Sequence, residues 1–141
     1  MRYPIEFHSQ SESKRGVQQT WTCTSAGQTV NVAIPPEFAG PGGGLSPEDL
    51  FNQALTNCFL ATFKVYAENS RLEYEKIRAE SLLTVDLNEE KKPVMKKLEV
   101  RVIISGAHDI QKARLLAEKA ARSGFILNSV KTVCNFSIQF E

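Results

Sequence analysis

The sequence has only two histidines, His8 and His108, and three cysteines, Cys23, Cys58 and Cys134, with no Cys-x-x-Cys pair among them. Structural zinc draws its ligands from clusters of these two residue types at short spacing, so a zinc centre is not expected, nor any other metal or cofactor. An odd number of widely spaced cysteines also argues against a disulfide framework. Long apolar runs are missing too. None approaches the ~20 residues of a membrane span, and Met1-Arg2-Tyr3-Pro4-Ile5-Glu6 lacks the apolar stretch of a signal peptide. The expected location is the cytoplasm, where structural disulfides are rare, and no membrane partner is expected. Neither sign of charge is in excess, with a net charge of +1 and 23% charged residues. The pairs Lys91-Lys92 and Lys96-Lys97 flank Pro93 and read as a solvated hairpin tip. Without a basic stripe interleaved with aromatics, a nucleic-acid partner is not expected.

The chain of 141 residues is 42% apolar, enough to bury a substantial core, and reads as one α+β domain over residues 1–141. Tyr3, Ile5 and Phe7 alternate with polar residues, as do Val17, Trp21 and Cys23, and then Val30, Val32 and Ile34. Period-two alternation predicts short strands of a sheet with one wet face. Lys14-Arg15-Gly16 falls at the turn before the second of these strands. A loop from Pro35 to Gly44 follows, rich in proline and glycine and unsuited to regular structure. Its three consecutive glycines allow a close backbone approach. They are not followed by Lys-Ser/Thr, so a phosphate-binding P-loop is excluded.

A helix is predicted from Ser46 to about Asn69. Ser46 suits the N-cap and Pro47 the first helical position, while Glu48 and Asp49 suit the positive end of the dipole. From Leu50 to Tyr66 the helix is apolar over most of its circumference, which predicts burial on most sides and suggests cover by a second chain. Two longer strands carry Ile77, Ala79, Ser81, Leu83, Val85 and Leu87, then Leu98, Val100, Val102 and Ile104, joined by a hairpin from Asn88 to Pro93. A second helix is expected from about His108 to Ser123, with Ile110, Ala113, Ala117 and Ala120 inward and Gly124 ending it. The last strand places Cys134, Phe136, Ile138 and Phe140 on one side.

Cys134 reads as a small core residue, and Cys23 as a core or sheet-surface residue. Cys58 lies mid-helix in Thr56-Asn57-Cys58-Phe59. It fits either core packing or chemistry. A mid-helix thiol gets no help from a helix N-terminus, so a reactive Cys58 needs a cation from elsewhere, for which Arg15 is the candidate.

The segment Pro36-Glu37-Phe38-Ala39-Gly40-Pro41-Gly42-Gly43-Gly44-Leu45-Ser46-Pro47-Glu48-Asp49-Leu50-Phe51, followed by Ala54 and Cys58-Phe59, resembles the OsmC/Ohr family of osmotically inducible and organic hydroperoxide resistance proteins. Asn128-Ser129-Val130-Lys131 resembles the family's end-of-helix segment. The resemblance implies an OsmC-like fold: antiparallel sheets wrapped around a long central helix in an intertwined homodimer. It also implies reduction of an organic hydroperoxide at the expense of a thiol reductant. By position, Cys58 matches the peroxide-reacting cysteine, Glu48 the active-site glutamate and Arg15 the arginine of the early strand-turn region. Such a thiolate attacks one peroxide oxygen and becomes a sulfenic acid. A guanidinium stabilises the thiolate and the leaving alkoxide, and a carboxylate holds the guanidinium. The ten residues from Glu48 to Cys58 span about 15 Å of straight helix, so a shared site needs Arg15 to bridge them, a helix start that departs from straight, or Glu48 from the partner chain, the favoured arrangement.

One position departs from that pattern. The family's resolving cysteine stands four residues before the asparagine, and here Gly124 occupies its place, in Gly124-Phe125-Ile126-Leu127-Asn128. The resemblance therefore leaves several outcomes open: resolution of Cys58 by an external thiol, resolution by Cys134 or Cys23, or a fold retained without peroxidase activity. In the last case the dimer either binds a small hydrophobic ligand, with Phe51, Phe59 and Phe63 as lining candidates that fit core packing equally, or is a structural or regulatory dimer without a site.

Overall fold

A hairpin with a two-residue turn organises the first sheet. In the computed structural model, which describes all 141 residues, strand β2 (Trp21–Ser25) turns through Ala26 and Gly27 into β3 (Gln28–Val32). Both turn residues have positive φ, 53° and 74°, the geometry whose twist matches paired antiparallel strands. Strand β1 (Ser9–Glu12) adds on the other side of β2, giving the order β1-β2-β3, all antiparallel. The alternation at Tyr3, Ile5 and Phe7 does not form a strand: these residues precede β1, pair with nothing and are exposed, Phe7 at 94%. Alternation provides a face, but a strand also needs a hydrogen-bonding neighbour. Val17 likewise lies outside β2, and Ile34 lies beyond the end of β3.

The glycine-rich loop is largely irregular, with one 3-10 turn at Pro36–Phe38. It folds back on β3. A Cβ on Gly40 would lie 2.0 Å from the Ile34 carbonyl oxygen, so this approach is open to glycine alone. Leu45 then bridges Val32 in parallel, through Ala33 N–H to the Leu45 carbonyl at 3.0 Å and Leu45 N–H to the Asn31 carbonyl at 2.9 Å. These bonds deliver the chain to helix α1 (Pro47–Asn69). Ser46 caps it reciprocally with Asp49: the Asp49 N–H donates to Ser46 Oγ, and the Ser46 N–H donates to Asp49 Oδ2, each at 2.9 Å.

By its internal contacts the chain divides into two compact units, Met1–Leu50 and Phe51–Glu141. The second holds a sheet of order β4-β5-β6, built from β4 (Lys76–Leu87), β5 (Pro93–Ser105) and β6 (Val133–Phe140). The β4–β5 hairpin is antiparallel with an irregularity at Thr84/Val85, whereas β6 runs parallel to β5, the one departure from the expected antiparallel order. A parallel pair needs a crossover, and helix α2 (Ile110–Ser123) supplies it.

The core of this unit is formed by Leu55, Phe59, Phe63 and Ala67 of α1, by Leu98, Val100, Val102 and Ile104 of β5, and by Ala113, Ala117 and Ala120 of α2. Alanine at all three inward positions of α2 lets that helix approach closely. Ile110, expected inward, is instead 52% exposed at the first helical position. Phe59 stacks against Phe63 and meets Phe136 of β6 at a centroid distance of 4.9 Å. One polar network crosses this core, with Ser81 Oγ donating to Asn52 Oδ1 at 2.7 Å and Thr56 Oγ1 donating to the Asn52 carbonyl at 2.9 Å. Ala61 and Val65 are the apolar residues of α1 that remain exposed in the single chain. No helix is long and apolar enough to cross a membrane.

Candidate functional site

Cys58 sits at the edge of the buried stripe of α1. Leu55, Phe59 and Phe63 define that stripe, and Cys58, one position before Phe59, is turned to its flank and half-buried. What lies against its sulfur is backbone. Gly124 ends α2 with φ −64° and ψ 139°, an extended conformation that any residue can adopt, and it is buried. A Cβ placed on it would be 2.5 Å from Cys58 Sγ, 3.2 Å from Leu127 Cδ1 and 3.3 Å from Thr62 Oγ1. Glycine is needed here for space, not for backbone freedom.

Several bonds hold the two helices in this register. Tyr66 and Ser123 share a hydroxyl–hydroxyl bond between α1 and the last residue of α2. Ser123 Oγ also donates to the Lys119 carbonyl at 2.7 Å, while Lys119 Nζ lies 4.4 Å above the Tyr66 ring. Thr62 Oγ1 donates to the Cys58 carbonyl at 2.7 Å, which fixes that hydroxyl beside the thiol. After Gly124 the chain enters a 3-10 turn at Leu127–Ser129, begun by the Asn128 N–H bond to the Gly124 carbonyl at 2.9 Å. Phe125 and Ile126, which follow Gly124 directly, are 69% and 44% exposed, so an apolar surface adjoins the thiol's neighbour.

The other two residues proposed from sequence lie in the N-terminal unit. Glu48 stands in the first turn of α1, but Asp49 makes the cap bond and leaves Glu48 free of that duty. Glu48 is half-buried, and its Oε1 is buried with no hydrogen-bond partner in the chain. Buried carboxylate oxygens are ordinarily satisfied, which sets this one apart from the other buried side-chain polar atoms of the chain. Arg15 lies in the exposed loop between β1 and β2, and none of the chain's ion pairs involves it or Glu48.

The remaining cysteines differ in kind. All three are free. Cys134 on β6 packs against the core, its Sγ donates to the Thr132 carbonyl at 3.5 Å, and burial pushes its thiol up from the ordinary value, disfavouring the thiolate. Cys23 is half-buried on β2 and pairs with Val30. The neighbour of Cys58 was not readable from spacing. Spacing marked Gly124 only as the end of α2, the family resemblance gave the position its chemical interest, and the fold brings it to the sulfur.

Residues 40–139 match the model of the OsmC family, described as OsmC-like protein. A Bacillus subtilis protein, YmaD, described as uncharacterized, is 27% identical over 124 residues, covering 85% of this chain and 81% of its own. Among solved structures, an OsmC-like protein of unknown function from Vibrio cholerae superposes with a TM-score of 0.84 at 22% identity, over 96% of this chain and 99% of that one. An organic hydroperoxide resistance protein OsmC from Legionella pneumophila gives a TM-score of 0.70 at 19% identity, over 98% and 99%.

Proposed function

The chain belongs to the OsmC-like family, and from that premise we propose that it is a homodimeric thiol peroxidase that reduces organic hydroperoxides through Cys58. The observation that carries this reading is the setting of the three thiols. Cys58 is half-exposed next to Gly124, which is followed in the chain by the exposed apolar residues Phe125 and Ile126, whereas Cys134 is bonded to a carbonyl and held protonated by burial. An apolar approach favours an alkyl hydroperoxide over hydrogen peroxide.

In the proposed cycle the Cys58 thiolate attacks one oxygen of R–O–O–H. The O–O bond breaks, an S–O bond forms, and the alkoxide leaves with a proton as an alcohol. Cys58 is now a sulfenic acid. Arg15 is assigned to stabilise the thiolate and the departing alkoxide, because a guanidinium stays charged throughout. Glu48 is assigned to hold that guanidinium, and its unpartnered oxygen supports donation from a second chain. With glycine at 124, a thiol reductant completes the cycle. It displaces water from the sulfenic acid to give a mixed disulfide, and a second thiol releases Cys58.

The test is to treat the reduced protein with one equivalent of tert-butyl hydroperoxide, with hydrogen peroxide in parallel, and to map the modified residue by mass. Rapid gain of one oxygen on Cys58, abolished by Cys58→Ser, is the expected result. Persistence of both the free thiol and the peroxide sinks the peroxidase assignment.

A further inference from the structure

We propose that the outer edge of β6 and the adjoining face of α2 form a docking site for an extended acidic peptide segment of a partner protein, which adds to the sheet as a further strand. The site lies wholly within Phe51–Glu141 and is independent of the chemistry of Cys58.

The two edges of the second sheet differ in kind. β4, at one edge, carries Lys76, Arg78, Glu80 and Asp86 and an irregularity at Thr84/Val85, devices that deter a further strand. β6, at the other edge, runs from Val133 to Phe140 with no charged residue, no proline and no break in register. Its only strand neighbour is β5, so the backbone groups along its outer side have no strand to pair with. Side-chain burial shows the same opening. Leu98, Val100, Val102 and Ile104 of β5 are at most 2% exposed, whereas Cys134, Phe136, Ile138 and Phe140, beside them in register, are only half-buried. The apolar layer thus stays open along β6.

Between that layer and α2 runs a groove of about 350 Å³, with Cys134, Phe136 and Ile138 on one wall and Arg114, Glu118 and Arg122 on the other. These three charges take part in none of the chain's ion pairs, whereas Glu80, Glu99 and Arg101 on the opposite face of the sheet are all paired. The Arg114 guanidinium lies 5.0 Å from the centre of the Phe140 ring, a stacking that leaves its charge and in-plane donors for a carboxylate. An apolar wall, a net positive rim and a free strand edge together fit an extended acidic peptide. Spacing defines it further. From Arg114 to Arg122 the helix rises ~12 Å, and four residues of a strand cover ~13 Å on one face. Acidic residues at peptide positions i and i+4 meet both arginines. An apolar residue at i+2 lies between them, where half-buried Glu118 disfavours a third carboxylate.

The probe is a fluorescein-labelled threonine peptide with glutamate at its second and sixth positions and valine at its fourth, titrated into the full chain and followed by anisotropy. Saturable binding is expected, weakening as salt is raised. A peptide with lysine in place of both glutamates is expected not to bind. The double variant Arg114→Gln/Arg122→Gln is expected to bind the glutamate peptide about tenfold more weakly, the scale of two exposed ion pairs. Both arginines are exposed, so its melting temperature is expected to match that of the natural chain. Strand addition has its own signature. Two N-methylated peptides are compared, one methylated at the even positions and one at the odd. A strand turns alternate N–H groups toward its neighbour, so one is expected to bind like the parent and the other to lose at least tenfold. Equal affinity of the two methylated peptides overturns strand addition, and equal affinity of the glutamate and lysine peptides overturns the acidic partner. Absence of saturable binding by the parent peptide overturns the site. Loss of self-association in Arg114→Gln/Arg122→Gln overturns the proposal as well, by assigning the groove to a second copy of the chain.

Discussion

The two units of the chain are unequal in what they bury. All the fully buried apolar residues except Val32 and Ala33 belong to Phe51–Glu141. In Met1–Leu50, Tyr3, Ile5, Phe7, Val17, Val30, Phe38 and Leu45 are exposed. The C-terminal unit carries a packed core of its own, whereas the N-terminal unit presents apolar side chains with nothing over them. Isolated apolar residues on a surface need no explanation, but an alternating run such as Tyr3, Ile5 and Phe7 is the pattern of a strand lacking a partner. Cys58 belongs to the packed unit, and Arg15 and Glu48 belong to the open one.

Breaking the core should show the inequality most strongly. Phe59→Ala removes a ring packed between Phe63 and Phe136 and is expected to cost about 3–5 kcal/mol in denaturant unfolding. Phe7→Ala in the open unit, at a side chain that is 94% exposed, is expected to leave unfolding nearly unchanged. Equal losses from the two substitutions would erase the distinction. Next in size, Arg15→Ala is expected to slow peroxide reduction by about 10²–10³-fold, the scale for losing a group that stabilises developing negative charge, without a shift in melting temperature. A rate unchanged by that substitution would remove Arg15 from the site.

Smaller still is the helix cap. Ser46→Ala breaks the bond from the Asp49 N–H and is expected to cost about 1 kcal/mol. The smallest effect concerns Cys134. Its thiol is raised by burial, so on alkalinisation the unfolded chain loses the proton first. Stability from this group is intact below the ordinary thiol value of 9.0 and falls as pH rises through it toward the raised value. Cys134→Ala is expected to flatten that alkaline slope in pH-dependent unfolding, and an unaltered slope would assign it to another group, such as Tyr74, which is raised as well.

Much of this architecture was legible because its signals are local. The Ser46–Pro47 start of α1 and its end at Asn69, the Asn88–Pro93 hairpin and the stop of α2 at Gly124 all follow from caps, periodicity and turn chemistry within a few residues. Readings that failed needed a neighbour to be known. Tyr3 to Phe7 has the right alternation and no strand beside it, and Ile110 has the right helical spacing but sits where α2 is only beginning. The parallel run of β6 beside β5 depends on the α2 crossover, which no alternation within β6 encodes.

By itself, then, the sequence determined most of the elements, the largely apolar character of α1 and the mid-helix position of Cys58, because each depends on residues a few positions apart. Only the tertiary structure decided that Gly124 lies against Cys58 Sγ with no room for a Cβ, and that Glu48 keeps a buried oxygen without a donor. The physical reason is the same for both. Close packing and the satisfaction of buried polar groups are properties of atoms brought together by the fold, and spacing along a chain does not carry them.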